Sequence, residues 1–178
     1  MGDFMSKKKL KLIGIIISFI ICFPFHFVYD KVPSFLTSRF FPVNESIWEH
    51  MKILFGSVMF SSICQKLIMY FYKEELTNIC FSNFIGAILS IPIFLIMFLP
   101  MYYTIGENFP LTIFFMFLTI VICEIISYFI MIRRDFNMEN KTILLVILVY
   151  IIFGILTYFP PENDLFVDFE RCFYSIMM

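Results

Sequence analysis

Hydrophobic residues fall into five long runs along the chain, separated by short polar segments. Each run is close to the roughly 17–25 residues that a helix needs to cross the hydrocarbon core of a bilayer. Because no water binds backbone groups at that depth, such runs are expected to be helical. The predicted spans are about 10–28, 51–72, 84–103, 110–132 and 142–159. The sequence therefore predicts a single all-α domain, 1–178, that is an integral membrane bundle of five transmembrane helices.

The composition indicates that lipid surrounds these runs. The chain has 178 residues, of which 61% are hydrophobic, whereas soluble domains are nearer ~45–50% apolar. A formal net charge of −1 gives no reason to expect nucleic acid as a partner. We therefore expect a multi-pass protein of the cell membrane, with the lipid bilayer as its main partner.

The cysteines show none of the spacings that are typical of metal or redox sites. They are Cys22, Cys64, Cys80, Cys123 and Cys172. No Cys-x-x-Cys pair occurs, and most of the five lie inside apolar runs, where cysteine behaves as a small hydrophobic residue. We expect no disulfide framework, no zinc ribbon and no cofactor.

Lysine and arginine are unevenly distributed between the loops, and these residues favour the cytoplasmic side. Those expected inside are Lys7, Lys8, Lys9, Lys11, Lys73, Arg133, Arg134 and Lys141. The tail after the fifth span is acidic and contains Glu162, Asp164, Asp168, Glu170 and one basic residue, Arg171. The loop after the third span has only Glu107, while Lys31 and Arg39 in the first loop oppose the trend. The amino terminus is predicted inside and the carboxy terminus outside.

The stretch FPVNESIWEHMK, residues 41–52, concentrates polar side chains just before the second span. A helix that begins at Asn44 would place Glu45 and Glu49 one turn apart, on the same face as Lys52. His50 would point away from that face. Two carboxylates one turn apart repel each other unless a cation lies between them. That cation could be Lys52, a metal ion or a substrate ammonium group.

The same stretch also has a structural interpretation. Ser46 and Glu49 fit the S-x-x-E capping box, in which each side chain binds an orphan backbone donor at a helix start. Trp48 would then anchor the helix at the membrane interface, and Lys52 would extend to the lipid head groups. Capping explains Glu49 but neither Glu45 nor His50, so we interpret these three residues as part of a binding site.

We predict a ligand-binding site at the outer face, formed by Glu45, Glu49 and His50. The supporting residues are Asn44, Trp48, His26 and Asp168. His26 ends the first span and Asp168 lies in the final tail, so the predicted topology brings both to that face. Glu49 and His50 are adjacent and do not form an HExxH motif. From the sequence we assign no metal ligand.

Two charges lie deeper in the predicted spans, Lys66 in the second and Glu124 in the fourth. Charged residues inside a membrane are costly, and they usually pair with each other or line a pathway. Both residues fall somewhat to the cytoplasmic side of their spans at similar depth. We predict a structural Lys66–Glu124 pair that joins two helices, with a proton or ion relay as the alternative.

Several motifs resemble those of a known family. Residues 42–52, PVNESIWEHMK, resemble the PVNESVWEHLK signature of small polytopic membrane proteins from low-GC Gram-positive bacteria, a domain of unknown function. His26 and Tyr29 are similar to the histidine and tyrosine that close its first span. The segment from Tyr158 to Asp168 resembles its closing YPPHxPLFxD motif. Glu162 and Asp164 replace a histidine and a proline of that motif, and 174–176 replaces its glycine-containing ending. The resemblance implies the membrane architecture and the outer cluster, and it brings no activity.

Three functions fit these features. The first is a binding protein, transport-associated or accessory, that recognises a small polar or cationic ligand from outside. The second is a membrane-embedded hydrolase or transferase that acts on lipid head groups, with Glu45 and Glu49 as acid, base or metal ligands. The third is a structural subunit whose polar residues contact a membrane protein partner. The second lacks a recognisable nucleophile motif, so we favour the first, and enzyme activity stays open as the alternative.

The predicted sidedness can be tested by cysteine labelling in a cysteine-free version of the protein. We expect a membrane-impermeant maleimide to label Glu162→Cys in intact cells, because the final tail is predicted outside. Lys8→Cys should be labelled only after the membrane is permeabilised. The reverse labelling pattern would contradict the orientation.

Overall fold

The computed structural model describes residues 6–74 and 77–168. The helices are α1 (Lys7–His26), α2 (Val28–Lys31), α3 (Thr37–Phe40), α4 (Ile47–Phe71), α5 (Ile79–Ile105), α6 (Phe109–Met131) and α7 (Glu139–Tyr158). One turn of 3-10 helix, Asp164–Phe166, follows α7, and no β-strand forms within the two described ranges. The residues discussed above that lie outside these ranges are Glu170, Arg171, Cys172 and 174–176.

Five of the helices, α1 and α4 to α7, are long and apolar enough to cross a membrane. For the described residues, the prediction of an all-helical fold with five such helices is confirmed. Because consecutive long helices alternate in direction, α1, α5 and α7 end where α4 and α6 begin. We call this the Glu45 end of the bundle, and the opposite end the Lys11 end.

Short polar residues and glycine set the bounds of several helices. Ser6 precedes α1, and its Oγ accepts a hydrogen bond from the Lys9 N–H at 3.2 Å. Asn108 precedes α6 and caps it in the same way, with Pro110 in the first turn. These side chains satisfy N–H groups that have no partner within the helix. The α5 helix ends at Gly106, whose φ of 78° suits glycine because it has no Cβ.

The α4 helix lies at the centre of the bundle. Its faces pack against α1 and α5, while α6 packs against α5 and α1. The α7 helix is more peripheral, and packs against α3 and α5. Small residues allow close helix approach: a Cβ at Gly86 would lie 3.1 Å from the Cys123 carbonyl oxygen of α6. Because α4 is central, its polar residues can contact several other helices.

A buried polar network joins four helices toward the Lys11 end. The Lys11 ammonium lies 3.1 Å from Glu124 Oε2, and both side chains are at most 5% exposed. Lys11 also donates to Asn83 Oδ1 and to Ser127 Oγ, each at 2.6 Å. Gln65 Nε2 donates to Glu124 Oε1 at 3.2 Å. Helices α1, α4, α5 and α6 each supply at least one member, so these side chains satisfy one another inside the bundle.

The predicted Lys66–Glu124 pair is therefore wrong. Lys66 lies on another face of α4, with 59% of its side chain exposed and its Nζ 3.3 Å from Glu139 Oε2. The other oxygen of Glu139 accepts a hydrogen bond from the Cys80 N–H at the start of α5. Lys66 and Glu124 lie at similar depth in their helices, but depth does not determine which helix faces pack together. The sequence places Lys11 in the basic amino-terminal segment, but its side chain turns into the bundle and pairs with Glu124.

Replacing the two lysines separately tests this assignment. We expect Lys11→Met to lower the free energy of unfolding by about 3–5 kcal/mol, since it leaves the Glu124 carboxylate buried without its cation. The exposed Lys66→Met should cost at most about 1 kcal/mol. Thermal or denaturant unfolding in detergent measures both. The double variant Lys11→Met/Glu124→Leu should recover much of the loss, and equal effects of the two single variants would refute the pairing.

Candidate functional site

A second buried ion pair lies near the Glu45 end. Lys52 Nζ is 2.5 Å from Glu49 Oε2, and both residues are buried. The ammonium also donates to the Ser38 carbonyl oxygen at 2.7 Å and to Thr157 Oγ1 at 2.5 Å. Thr157 in turn donates to Glu49 Oε1 at 2.8 Å. The pair therefore joins α4 to α3 and α7, and its charges are satisfied within the protein.

The same carboxylate holds the segment that leads into α4. Glu49 Oε2 accepts a hydrogen bond from the Val43 N–H at 3.0 Å. Ser46 is the N-cap of α4, and its Oγ accepts from the Glu49 N–H at 3.3 Å. Asn44 Oδ1 accepts from the Ser46 N–H at 3.0 Å. This network fixes both the first residue of α4 and the path of residues 43–46.

Two expectations for this stretch require correction. The predicted capping box is only half formed, because Asn44, and not Glu49, accepts from the Ser46 N–H. Lys52 does not reach the lipid head groups, since it is fully buried against Glu49. In both cases the reason is that Glu49 and Lys52 form a buried ion pair that packs against α7. Sequence spacing gives no information about that packing.

Both histidines of the chain meet at Glu45. His26 Nε2, from the end of α1, lies 3.6 Å from Glu45 Oε1. His50 Nε2, from the first turns of α4, lies 3.4 Å from Glu45 Oε2. The imidazole centroids are 5.1 Å apart. His50 was expected to point away from Glu45, but α4 begins at Ile47, so Glu45 lies in the preceding turn and folds back over His50.

The remaining predicted site residues occupy other positions. Trp48 stacks on Phe166 with ring centroids 5.0 Å apart, and it forms a T-shaped pair with Phe153. Asp168 is buried, and it belongs neither to the histidine–glutamate group nor to the cavity described next. The structure thus brings together Glu45, His50 and His26, and separates them from Glu49, Asn44, Trp48 and Asp168.

A cavity of about 130 Å³ opens beside Glu45, between α4, α5 and α6. Its polar residues are Glu45, His50, Tyr102, Glu107 and Thr112, and its apolar residues are Ile47, Met51, Ile53, Leu54, Phe94, Phe98 and Met116. Three rings of α5 form a continuous ladder. Phe94 stacks on Phe98 at 5.1 Å, and Phe98 stacks on Tyr102 at 5.5 Å.

Sequence reasoning missed the contribution of α5 and α6 to this site. Glu107 is the only charged residue in the connection between these helices, and it served only as an indicator of orientation. The i, i+4 spacing of Phe94, Phe98 and Tyr102 also places them on one helical face. Neither signal shows that this face meets Glu45 and His50.

Residues 1–176 match a protein family described as Family of unknown function (DUF6512). The match extends over nearly all of the chain. No match was found among curated proteins or among solved structures.

Two single variants at the start of α4 can distinguish the contribution of the ion pair to stability from that of the helix cap. We expect Glu49→Gln to lower the free energy of unfolding by about 3–5 kcal/mol, because the Lys52 ammonium stays buried without its anion. Ser46→Ala should cost about 0.5–2 kcal/mol, as for loss of an N-cap. Unfolding in detergent measures both. If the two losses were equally small, the Glu49–Lys52 ion pair would contribute no more to stability than the helix cap.

Proposed function

The chain belongs to this family of unknown function, and we propose that it is a multi-pass membrane protein that binds a small organic cation at the Glu45 end. The cavity beside Glu45 is the observation that carries the proposal. We further propose that this end faces outward from a bacterial cell membrane, as the lysine and arginine distribution predicts. The role is then transport-associated or accessory, and not enzymatic.

The charge at the cavity favours a cation. Two carboxylates line the cavity. Glu45 lies in the segment before α4, and Glu107 lies in the connection between α5 and α6. None of the described residues that line it is a lysine or an arginine. An ammonium group near these carboxylates would gain Coulomb energy that a neutral or anionic ligand would not.

The walls of the cavity favour a ligand with an apolar body. The Phe94–Phe98–Tyr102 ladder offers ring surfaces on one side, and Leu54 and Met116 line other parts of the wall. Aromatic rings attract cations through their quadrupole and also bury apolar groups. The cavity of about 130 Å³ has room for a group close to the size of benzene, since apolar cavities of about 150 Å³ bind benzene. The ligand class that fits is a small amine with an aryl or short alkyl group.

The buried charges toward the Lys11 end are separate from the proposed binding site. There the Lys11 and Glu124 charges are paired with each other and hydrogen-bonded to Asn83, Gln65 and Ser127. This network links α1, α4, α5 and α6, and none of its residues lines the cavity, so binding at the Glu45 end leaves it intact.

Benzylamine is a suitable probe for this proposal, with benzyl alcohol and benzoate as neutral and anionic controls. We expect benzylamine alone to raise the thermal stability of the detergent-purified protein. Binding to the native state at 100 times Kd is worth about 2.7 kcal/mol. Phe98→Leu should weaken binding by about 2–30-fold, which corresponds to the roughly 0.5–2 kcal/mol of a cation–π contact.

The matched variants are Glu107→Gln and Glu162→Gln. Glu107 lines the cavity, so its neutral variant should weaken benzylamine binding and reduce the dependence of affinity on salt. Glu162 is exposed and does not line the cavity, so its neutral variant should bind benzylamine as the wild type does. Equal stabilisation by all three probes, or no effect of Glu107→Gln, would refute recognition of a cation.

A further inference from the structure

We propose that His26, Glu45 and His50 form a binding site for a divalent transition-metal ion such as Zn²⁺. One potential ligand atom from each residue lies within 4.8 Å of the other two. The chain contains two histidines in all, and both belong to this group, one from α1 and one from α4. The site shares Glu45 and His50 with the cavity, but it does not depend on binding of an organic cation.

The spacing of the donor atoms suits tetrahedral coordination. Zinc lies about 2.0–2.2 Å from imidazole nitrogen and carboxylate oxygen, so two ligands of a tetrahedral ion are about 3.3–3.5 Å apart. His26 Nε2 lies 3.6 Å from Glu45 Oε1, and His50 Nε2 lies 3.4 Å from Glu45 Oε2. The two rings thus approach different oxygens of one carboxylate, and rotation of these side chains would bring the carboxylate and both rings onto a common ion.

A backbone contact already orients one of these ligands. His50 Nδ1 lies 2.8 Å from the Ser46 carbonyl oxygen, which can only accept a hydrogen bond. Nδ1 is therefore the protonated nitrogen that donates, and Nε2 faces Glu45. Metal-binding histidines commonly use one nitrogen for a carbonyl or carboxylate and the other for the ion. The Ser46 carbonyl is itself fixed, because Ser46 caps α4 and its N–H is held by Asn44.

The donor atoms indicate which class of ion the group would bind, and the exposure of the side chains gives an ion access to it. Two imidazole nitrogens and one carboxylate suit zinc and similar transition metals, whereas Ca²⁺ and Mg²⁺ prefer sites made entirely of oxygen. The exposed side-chain fractions are 28% for His26, 43% for Glu45 and 32% for His50, so an ion can reach the group. Three protein ligands leave a fourth position open to water or to a small ligand.

Metal binding by purified protein in detergent tests this site. The protein should carry no histidine tag and be stripped with EDTA before titration with Zn²⁺ by calorimetry. Titration with Co²⁺ should produce the intense visible d–d absorption of tetrahedral cobalt. We expect His26→Gln and His50→Gln each to lower the Zn²⁺ affinity at least about 10–100-fold, since even loss of an outer hydrogen-bond partner costs that much. Ca²⁺ and Mg²⁺ should not compete with Zn²⁺.

The controls separate this site from the cysteines and from the organic-cation cavity. Glu107→Gln should bind Zn²⁺ as the wild type does, although it weakens benzylamine binding, because Glu107 is not one of the three donors. Thermal unfolding without metal verifies that each variant is folded, and His26→Asn serves as a second variant if His26→Gln is not. Absence of Zn²⁺ binding, unchanged affinity in His26→Gln, or a thiolate charge-transfer spectrum with Co²⁺ would overturn the proposal.

Discussion

The buried Glu49–Lys52 pair is the interaction on which the Glu45 end depends. It joins α4 to α7 through Thr157 and to α3 through the Ser38 carbonyl. Through the Val43 N–H the same carboxylate fixes the chain that enters α4. Because α4 starts at Ile47, Glu45 lies in the preceding turn and faces the histidines. A pair that is structural in itself therefore determines the geometry of the neighbouring polar group.

Lipid as a solvent explains why the polar residues occur in closed groups. A charge or amide inside the hydrocarbon layer cannot be satisfied by water, so its partners must come from other helices. The Lys11 network and the Lys52 pair both follow this rule, with ion pairs that are completed by amide, hydroxyl or carbonyl groups. The group around Glu45 differs from these two, because all three of its side chains are partly exposed. This difference is the reason that we assign function to it and structure to the other two.

The polar residues around the start of α4 lie on two faces. Glu49 and Lys52 point toward α7 and stabilise the fold, whereas Glu45 and His50 point toward the end of α1 and the cavity. A helical wheel that begins at Asn44 assigns Glu45 and Glu49 to one face. In the structure these two carboxylates lie in separate environments. The family match extends over residues 1–176 and assigns no activity, so the proposed function rests on the exposed group and its cavity.

The sequence by itself determined the helices and the position of the polar end. Five apolar runs of membrane-spanning length specify helices, because backbone groups in lipid must bind within their own segment. Alternation of the helices then brings His26, Glu45 and Glu107 to one end. Only the tertiary structure decided which side chains meet there and in the interior, so that Glu124 pairs with Lys11 and not with Lys66. Residue spacing fixes depth and helical face, but the rotation of each helix about its axis is set by packing against its neighbours.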